Sequence, residues 1–439
     1  MRLSVIGCGY LGAVHAAAMT ELGHDVVGVD VDPAKVAALA EGRAPFHEPG
    51  LPELLERGVA SGRLRFTTDV AEAAEARVHF LAVGTPQRPD GDGADLRFVD
   101  AAVEAIAPHL APGSLLVGKS TVPVGTAARI AARLAEVAPD ASLAWNPEFL
   151  REGLAVRDTL EPDRIVYGVP DPTDVRVESD VALLDEVYAT PLATGTPRLV
   201  ADYATAELVK VAANSFLATK ISFINAMAEI AEATGADVTL LADAIGLDAR
   251  IGRKFLNAGI GFGGGCLPKD IRAFAARAEE LGVGVAVEFL RDIDAINLRR
   301  RERATSIVAE ALGDRLAGAK IAVLGVAFKP DSDDIRDSPA LDVSLRLREL
   351  GARVVATDPA AIPNARQRYP ELEYADDADD AIRDAEAIVL VTEWAQYRAL
   401  DPGRTSALAS GRLIVDGRNV LDPVAWRAAG WTYRGMGRP

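Results

Sequence analysis

The least ordinary stretch of the sequence is Gly261-Phe262-Gly263-Gly264-Gly265-Cys266-Leu267-Pro268-Lys269-Asp270. Four glycines ahead of a cysteine cost backbone entropy and bury little surface, so packing is a poor reason for them. They read as a loop that presents the Cys266 thiol at a helix start following Pro268. A helix N-terminus and the Lys269 ammonium would both favour thiolate, the nucleophilic form. Asp270 adds a carboxylate in reach of a water or a substrate proton. Cys8, the other cysteine, has only a glycine turn beside it and reads as a small packing residue.

A second site is written near the start. Gly7-Cys8-Gly9-Tyr10-Leu11-Gly12 is a GxGxxG directly after an apolar strand and opening a helix. Gly7 allows the tight turn, Gly9 lets a pyrophosphate approach the backbone, and Gly12 permits close helix–strand packing. The free N–H groups of the helix start then face the phosphates. Asp30 ends the next strand, where a carboxylate accepts ribose hydroxyls and repels a 2′-phosphate, so NAD is favoured over NADP. Lys35 either flanks the adenosine side or is an ordinary solvated helix lysine. A thiol beside a nicotinamide cofactor has a specific meaning. An aldehyde made by one hydride loss can be trapped as a thiohemiacetal, oxidised again to a thioester, and opened by water to an acid.

The elements that must hold these residues follow from periodicity. Apolar runs at Leu3–Gly7, Val26–Asp30, Val78–Val83, Ser114–Gly118, Leu143–Trp145 and Ile165–Gly168 alternate with Ala-rich helical stretches, which implies βαβ units and a mostly parallel sheet. From Asp202 to Gly235 there is one Pro-free helix about 50 Å long, of the kind that links domains or packs against a second subunit. Strands return at Ile321–Gly325, Val354–Asp358, Ala387–Thr392 and Leu413–Asp416. GHDVVGVDVDP at 23–33 resembles GARVVATDP at 351–359, a repeat that α/β units also produce by chance. The expected fold is therefore α/β, with two Rossmann-like doubly wound parallel-sheet domains joined by a long central helix. The expected domains are 1–200 for NAD, 201–300 for a central helical and dimerisation part, and 301–439 for a second Rossmann-like domain with a different phosphate ligand. The later sheet lacks the glycine triplet: Gly325-Val326-Ala327-Phe328-Lys329-Pro330 offers Lys329 as a point charge for phosphate instead.

Composition sets the outer limits. The 439 residues carry 47 Lys plus Arg against 64 Asp plus Glu, a net charge of −17. Nucleic acid and anionic membrane surfaces are poor partners for such a chain. A small anionic ligand instead requires the few cations to be gathered at its site. The five histidines all lie in the first quarter without ligand spacing, which argues against a metal. Two cysteines suit a reducing compartment, the strand signal from the first residues leaves no room for a signal peptide, and no apolar run is long enough for a membrane span. The expected location is the cytoplasm.

With these residues in place, the sequence resembles the UDP-glucose/GDP-mannose dehydrogenase family over nearly its whole length. The resemblance is carried by Gly7–Gly12, Val83-Gly84-Thr85-Pro86, Ser120-Thr121-Val122-Pro123, Asn146-Pro147-Glu148-Phe149-Leu150-Arg151-Glu152-Gly153, Pro162-Asp163-Arg164, Ala206-Glu207-Leu208-Val209-Lys210, Ala213-Asn214, Arg250-Ile251-Gly252, the Cys266 segment, Asp333-Asp334-Ile335-Arg336 and Asp416-Gly417-Arg418. It implies an NAD-dependent four-electron oxidation of a nucleotide sugar, UDP-glucose to UDP-glucuronate foremost, with GDP-mannose or another nucleotide sugar as the alternative. It implies that Cys266 is the nucleophile, that Lys210 and Asn214 flank the reacting carbon, that Asp270 and Thr121 hold a water, and that Glu148 assists thioester hydrolysis. Gly7, Gly9, Tyr10, Leu11, Gly12, Asp30, Lys35, Thr85, Thr121, Glu152, Lys269 and Arg336 would line the NAD site. Glu148, Phe149, Leu150, Arg151, Glu152, Lys210, Asn214, Phe255, Leu256, Asn257, Ala258, Gly259, Gly263, Phe328, Lys329 and Arg418 would line the sugar-nucleotide site, with Arg250 reaching into a neighbouring subunit of a homodimer or larger homo-oligomer. Gly265 departs from the pattern, since many relatives carry Ser there. Outside the family, a two-electron hydroxyacid dehydrogenase has no use for Cys266 or a third domain. A non-catalytic nucleotide-sugar-binding protein has none for Cys266, Lys210 and Asp270 together.

Overall fold

The short apolar runs form strands in the structure, a computed structural model that describes residues 1–439. The chain divides into two units, residues 1–213 with 276–282, and residues 214–275 with 283–439. In the first, an eight-stranded sheet comprises β1 (Arg2–Ile6), β2 (Asp25–Val29), β3 (Leu64–Thr67), β4 (Val78–Leu81), β5 (Leu115–Gly118), β6 (Ser142–Trp145), β7 (Ile165–Val169) and β8 (Arg198–Asp202), in the order β3-β2-β1-β4-β5-β6-β7-β8. Neighbours are parallel except β6 and β7, which meet antiparallel at Trp145 and Gly168. β4 and β5 are buried along their whole length, as continuous apolar runs are when helices cover both faces of a sheet.

In the second unit, β9 (Lys320–Leu324), β10 (Arg353–Thr357), β11 (Glu373–Tyr374), β12 (Ala387–Leu390), β13 (Leu413–Asp416) and β14 (Thr432–Gly435) form an all-parallel sheet ordered β11-β10-β9-β12-β13-β14. The first six positions of the first sheet have the same order, so the sequence repeat reflects one topology used twice. Both are doubly wound, with the order reversing between β1 and β4 and between β9 and β12; ligand crevices of such sheets lie at those points, outside the carboxyl ends of the strands. The strands that periodicity did not reveal are β3, β8, β11 and β14, the four outer strands of the two sheets. Charged residues interrupt these outer strands, as Arg65, Arg198, Glu373 and Arg434 show, so they lack a continuous apolar signal.

The long helix spans Tyr203–Thr234, 32 residues or about 48 Å, and begins directly after β8. A helix at Leu267–Glu280 follows the glycine-rich segment, and a 24-residue helix at Phe289–Leu312 leads into β9.

Candidate active site

In the first unit the crevice is assembled from residues just beyond β1, β2, β4, β5 and β6. Gly7 has a φ of 91°, and its N–H bonds Val29 O at 2.8 Å to make the turn. A Cβ at Gly12 would sit 1.8 Å from Gly7 O, whereas a Cβ at Gly9 would meet nothing within 4 Å. The third glycine is thus required by packing and the second leaves open space for a ligand. Gly9 is the N-cap of the helix Tyr10–Glu21 and has no capping side chain, so the first N–H groups remain available to an anion. Asp30, 7% exposed, accepts Cys8 N at 2.7 Å and pairs with Lys35 at 3.0 Å. Lys35 therefore belongs to the carboxylate expected to hold ribose. These residues fit a dinucleotide such as NAD. Cys8 is buried, and burial pushes its thiol up, as suits a packing residue.

Three further loops complete this crevice. Thr85 Oγ1 donates to Thr121 O at 2.8 Å, joining the loop after β4 to the loop after β5. Glu207, on the long helix, accepts Gly125 N and Ala127 N at 2.7 Å each and so pins the turn that follows Thr121; burial raises its carboxyl above the usual range. One turn further along that helix, Lys210 pairs with Glu148 at 2.9 Å, with both side chains largely buried. Glu148 also accepts Leu150 N at 2.6 Å, and the Phe149 ring lies 5.7 Å from Lys210 Nζ and 3.8 Å from the Arg164 guanidinium. Tyr10 Oη donates to Glu48, whose carboxylate also takes Gly153 N and Ala155 N; Glu152 lies in this segment, and its charge acts on the Tyr10 hydroxyl. Leu11 packs partly buried behind Tyr10, and Arg151 is committed to Asp158.

In the second unit the thiol helix begins at Leu267, earlier than the expected start after Pro268, which makes Cys266 the residue at its N-terminus. Its carbonyl accepts Asp270 N at 2.9 Å and its thiol is exposed. Asp270 is 2% exposed; Lys269 Nζ bonds one of its oxygens at 2.5 Å and Asn214 Nδ2 the other at 2.6 Å. The glycines before Cys266 are not loosely packed, contrary to the sequence expectation. A Cβ at Gly261 would meet Asn297 Oδ1 at 2.3 Å, at Gly263 Asp337 O at 2.2 Å, and at Gly264 the Phe328 ring at 2.7 Å. Close approach of neighbours excludes side chains there. At Gly265 a Cβ would overlap the Arg336 guanidinium at 2.2 Å, so a side chain there would have to displace that arginine.

The remaining expected residues surround this loop. Asn225 and Arg300 hold the two backbone polar groups of Gly259, and a Cβ there would strike Gly417 O at 2.5 Å. Leu256 and Ala258 are buried, Phe255 is 37% exposed at a φ of 66°, and Asn257 bonds Arg253. Arg418 donates to Gly261 O, Val391 O and Phe328 O and pairs with Glu393, so it ties the thiol loop to the ends of the second sheet. Lys329 Nζ lies 5.4 Å from the Phe328 ring, and Arg336 pairs with Asp334. Arg250 is exposed and pairs with Asp248 of its own chain. Sequence reasoning missed Glu48, Lys119, Asn297 and Arg301; Asn297 and Arg301 grip both sides of Phe262 from the helix Phe289–Leu312. Glu48 and Lys119 lie in loops, and Asn297 and Arg301 on a helix rich in charged residues, so no local pattern marked them.

A parallel-sheet domain with a dinucleotide cradle, a buried Lys–Glu pair and a thiol at a helix N-terminus define a nicotinamide-dependent dehydrogenase with a cysteine. Family models of the UDP-glucose/GDP-mannose dehydrogenase family match the NAD binding domain over residues 1–191, the central domain over 204–299 and the UDP binding domain over 322–423. The chain is 43% identical over 443 residues to a UDP-glucose 6-dehydrogenase of Rhizobium meliloti, covering all of both chains. A solved UDP-glucose dehydrogenase from Pyrobaculum islandicum shares 41% identity with a TM-score of 0.90, covering 100% of this chain and 98% of that one. A GDP-mannose dehydrogenase from Pseudomonas aeruginosa is 28% identical, with a TM-score of 0.53 over 99% of this chain and all of that one. The chain belongs to the UDP-glucose/GDP-mannose dehydrogenase family.

Proposed function

We propose that this enzyme is an NAD-dependent UDP-glucose 6-dehydrogenase that converts UDP-glucose to UDP-glucuronate, with the overall balance of one alcohol, one water and two NAD giving one carboxylate, two NADH and three protons. The observation that carries this reading is Cys266 at a helix N-terminus in a chain that also has the Gly7–Gly12 cradle and Asp30. NAD, held by Gly7–Gly12, Asp30 and Lys35 with Thr85, Thr121, Glu152, Lys269 and Arg336 around it, supplies the acceptor for both hydrides.

The chain's own groups do the rest. Cys266 as thiolate adds to the C6 aldehyde, and the resulting alkoxide takes a proton to give a thiohemiacetal. The helix N-terminus favours the anionic sulfur, while Lys269 is also engaged with Asp270. Lys210, buried and paired, is a preorganised cation for oxyanion charge in the alkoxide and tetrahedral states. Asp270, fixed by Asn214, and Thr121 hold water, and Glu148 assists opening of the thioester to acid and free thiol. Lys329 meets the diphosphate. Phe149, Leu150, Arg151, Arg164, the Phe255–Gly259 segment, Gly263, Phe328 and Arg418 shape the sugar-nucleotide site.

The functional division follows as 1–200 for NAD, 201–300 for the central part and 301–439 for the nucleotide sugar. Phe216, Phe223 and Ile230 recur every seven residues on the long helix at 66%, 47% and 59% exposure, an apolar stripe suited to a second copy of this chain. A homodimer would cover it, with Arg250 serving the neighbouring site. No helix is long and apolar enough to cross a membrane, neither cysteine forms a disulfide, and a reducing cytoplasm suits an exposed catalytic thiol. NADH release measured across UDP-glucose, GDP-mannose and UDP-N-acetylmannosamine tests the assignment. UDP-glucose should be oxidised with the highest kcat/KM, and a preference for either other sugar would overturn it.

A further inference from the structure

Lys119 is a lysine buried where a lysine is expensive. It follows β5 directly, is 6% exposed, and its Nζ donates to Asn146 Oδ1 at 2.9 Å, with Asn146 O at 3.5 Å and Tyr188 Oη at 3.3 Å. The rings of Phe80 and Tyr188 flank it at 5.8 Å each. No carboxylate forms an ion pair with it, so every direct partner is neutral. A Gln could bond Asn146 without the cost of desolvating an ammonium, so hydrogen bonding alone does not account for this side chain.

The position of Asn146 gives the lysine a purpose. Its amide is fixed from three sides: Oδ1 accepts both Lys119 and Tyr188 Oη, the latter at 2.6 Å, while Nδ2 donates to Val166 O at 2.9 Å. Its backbone N–H bonds Gly118 O at 2.7 Å, immediately before Lys119. Glu148 lies two residues beyond Asn146, and its pairing with Lys210 is the charge arrangement nearest to Lys119 in effect. Glu148 favours the Lys119 ammonium and Lys210 opposes it, while burial holds the amine down to about 8. The other titratable groups facing the same cavity are His15, kept neutral by burial and by Lys119, and Tyr188, whose hydroxyl burial pushes up; Asp158, Asp163 and Arg164 line its rim.

We propose that Lys119 is a positioning residue for the Glu148–Lys210 pair: through Asn146 and Tyr188 it anchors the Asn146–Glu148 turn, and its ammonium is electrostatically linked to that pair. The link is read at Lys119 itself, where Glu148 favours the ammonium and Lys210 opposes it. The catalytic consequence rests on the roles proposed above for Glu148 and Lys210, but the electrostatic coupling does not.

The coupling is tested first in the full-length protein by NMR of 13Cε-labelled lysines followed through pH. One lysine should titrate near pH 8 and vanish from the spectrum of Lys119→Met. Glu148→Gln should move that titration to lower pH, and Lys210→Met to higher pH. No lysine titrating below about pH 9, or one indifferent to both substitutions, would overturn the proposal. If Lys119→Met does not fold, the two partner variants still decide the question. The second readout is the pH profile of kcat. Lys119→Met should lower kcat by roughly tenfold, leave KM within about threefold, and remove an inflection near pH 8. A profile of unchanged shape would reduce Lys119 to a structural residue even with the reaction confirmed.

Discussion

The two sheets share one topology but treat the acid at the end of their second strand differently. Gly7 and Gly325 both adopt positive φ, 91° and 104°, and their N–H groups bond Val29 O and Thr357 O at the same 2.8 Å. Asp30 and Asp358 then occupy equivalent places after β2 and β10. Asp30 takes Cys8 N, Asp32 N and the ammonium of Lys35, and nothing crowds Gly9 beside it. Asp358 is filled from within: Val326 N, Ala327 N, Trp394 Nε1, Ala360 N and Ala361 N all donate to it at 2.8 to 3.1 Å. One copy of the turn gives its acid two backbone donors and a lysine; the other surrounds it with five donors from the fold. A phosphate at the second sheet would need another partner than this turn, the part proposed above for Lys329.

The largest effect expected from this division falls on chemistry. Cys266→Ser should lower kcat by about 10³-fold or more while UDP-glucose still protects the protein against thermal unfolding. Activity close to that of the native enzyme would remove the thiol from the mechanism. Next in size is the filled acid. Asp358→Ala strands several buried donors at once and should destabilise the fold by about 3 kcal/mol or more, read as a shifted urea midpoint. KM for NAD in the surviving folded fraction should stay unchanged. Asp30→Ala should do the reverse: KM for NAD rises by roughly tenfold to a hundredfold, with a smaller loss of stability. Equal stability losses at the two aspartates would erase the contrast between the sheets. The smallest effect on folding is expected at Gly9→Ala, because the added methyl enters open space, yet NAD affinity should fall markedly. Gly12→Ala, forced against Gly7 O, should cost the fold instead.

Much of this was legible in the sequence because it depends on local spacing. The GxGxxG turn, the acid ending β2, the long helix and the thiol segment each lie within a few residues of their own signal. Asp270 stood out in the thiol segment itself, the family resemblance supplied Glu148, Lys210 and Asn214, and the structure pairs Glu148 with Lys210 and Asn214 with Asp270. What could not be read were contacts between distant residues. Glu48 reaches Gly153, Glu207 reaches Gly125, and Asn297 reaches Phe262, each across a separation that periodicity does not encode. The glycines before Cys266 were misread for the same reason, since the atoms that crowd them come from Asn297, Phe328 and Asp337. The saturation of Asp358 is likewise invisible, because its sequence context, a strand ending in Asp-Pro, resembles that of Asp30.

The claim on which all of this depends is that a thiol and a dinucleotide cradle in one chain carry out two successive oxidations. It is tested most directly by the ratio of NADH formed to UDP-glucose consumed at completion, with UDP-glucuronate quantified alongside. The account predicts two NADH for each UDP-glucuronate. A ratio of one, with aldehyde as the accumulated product, would contradict it.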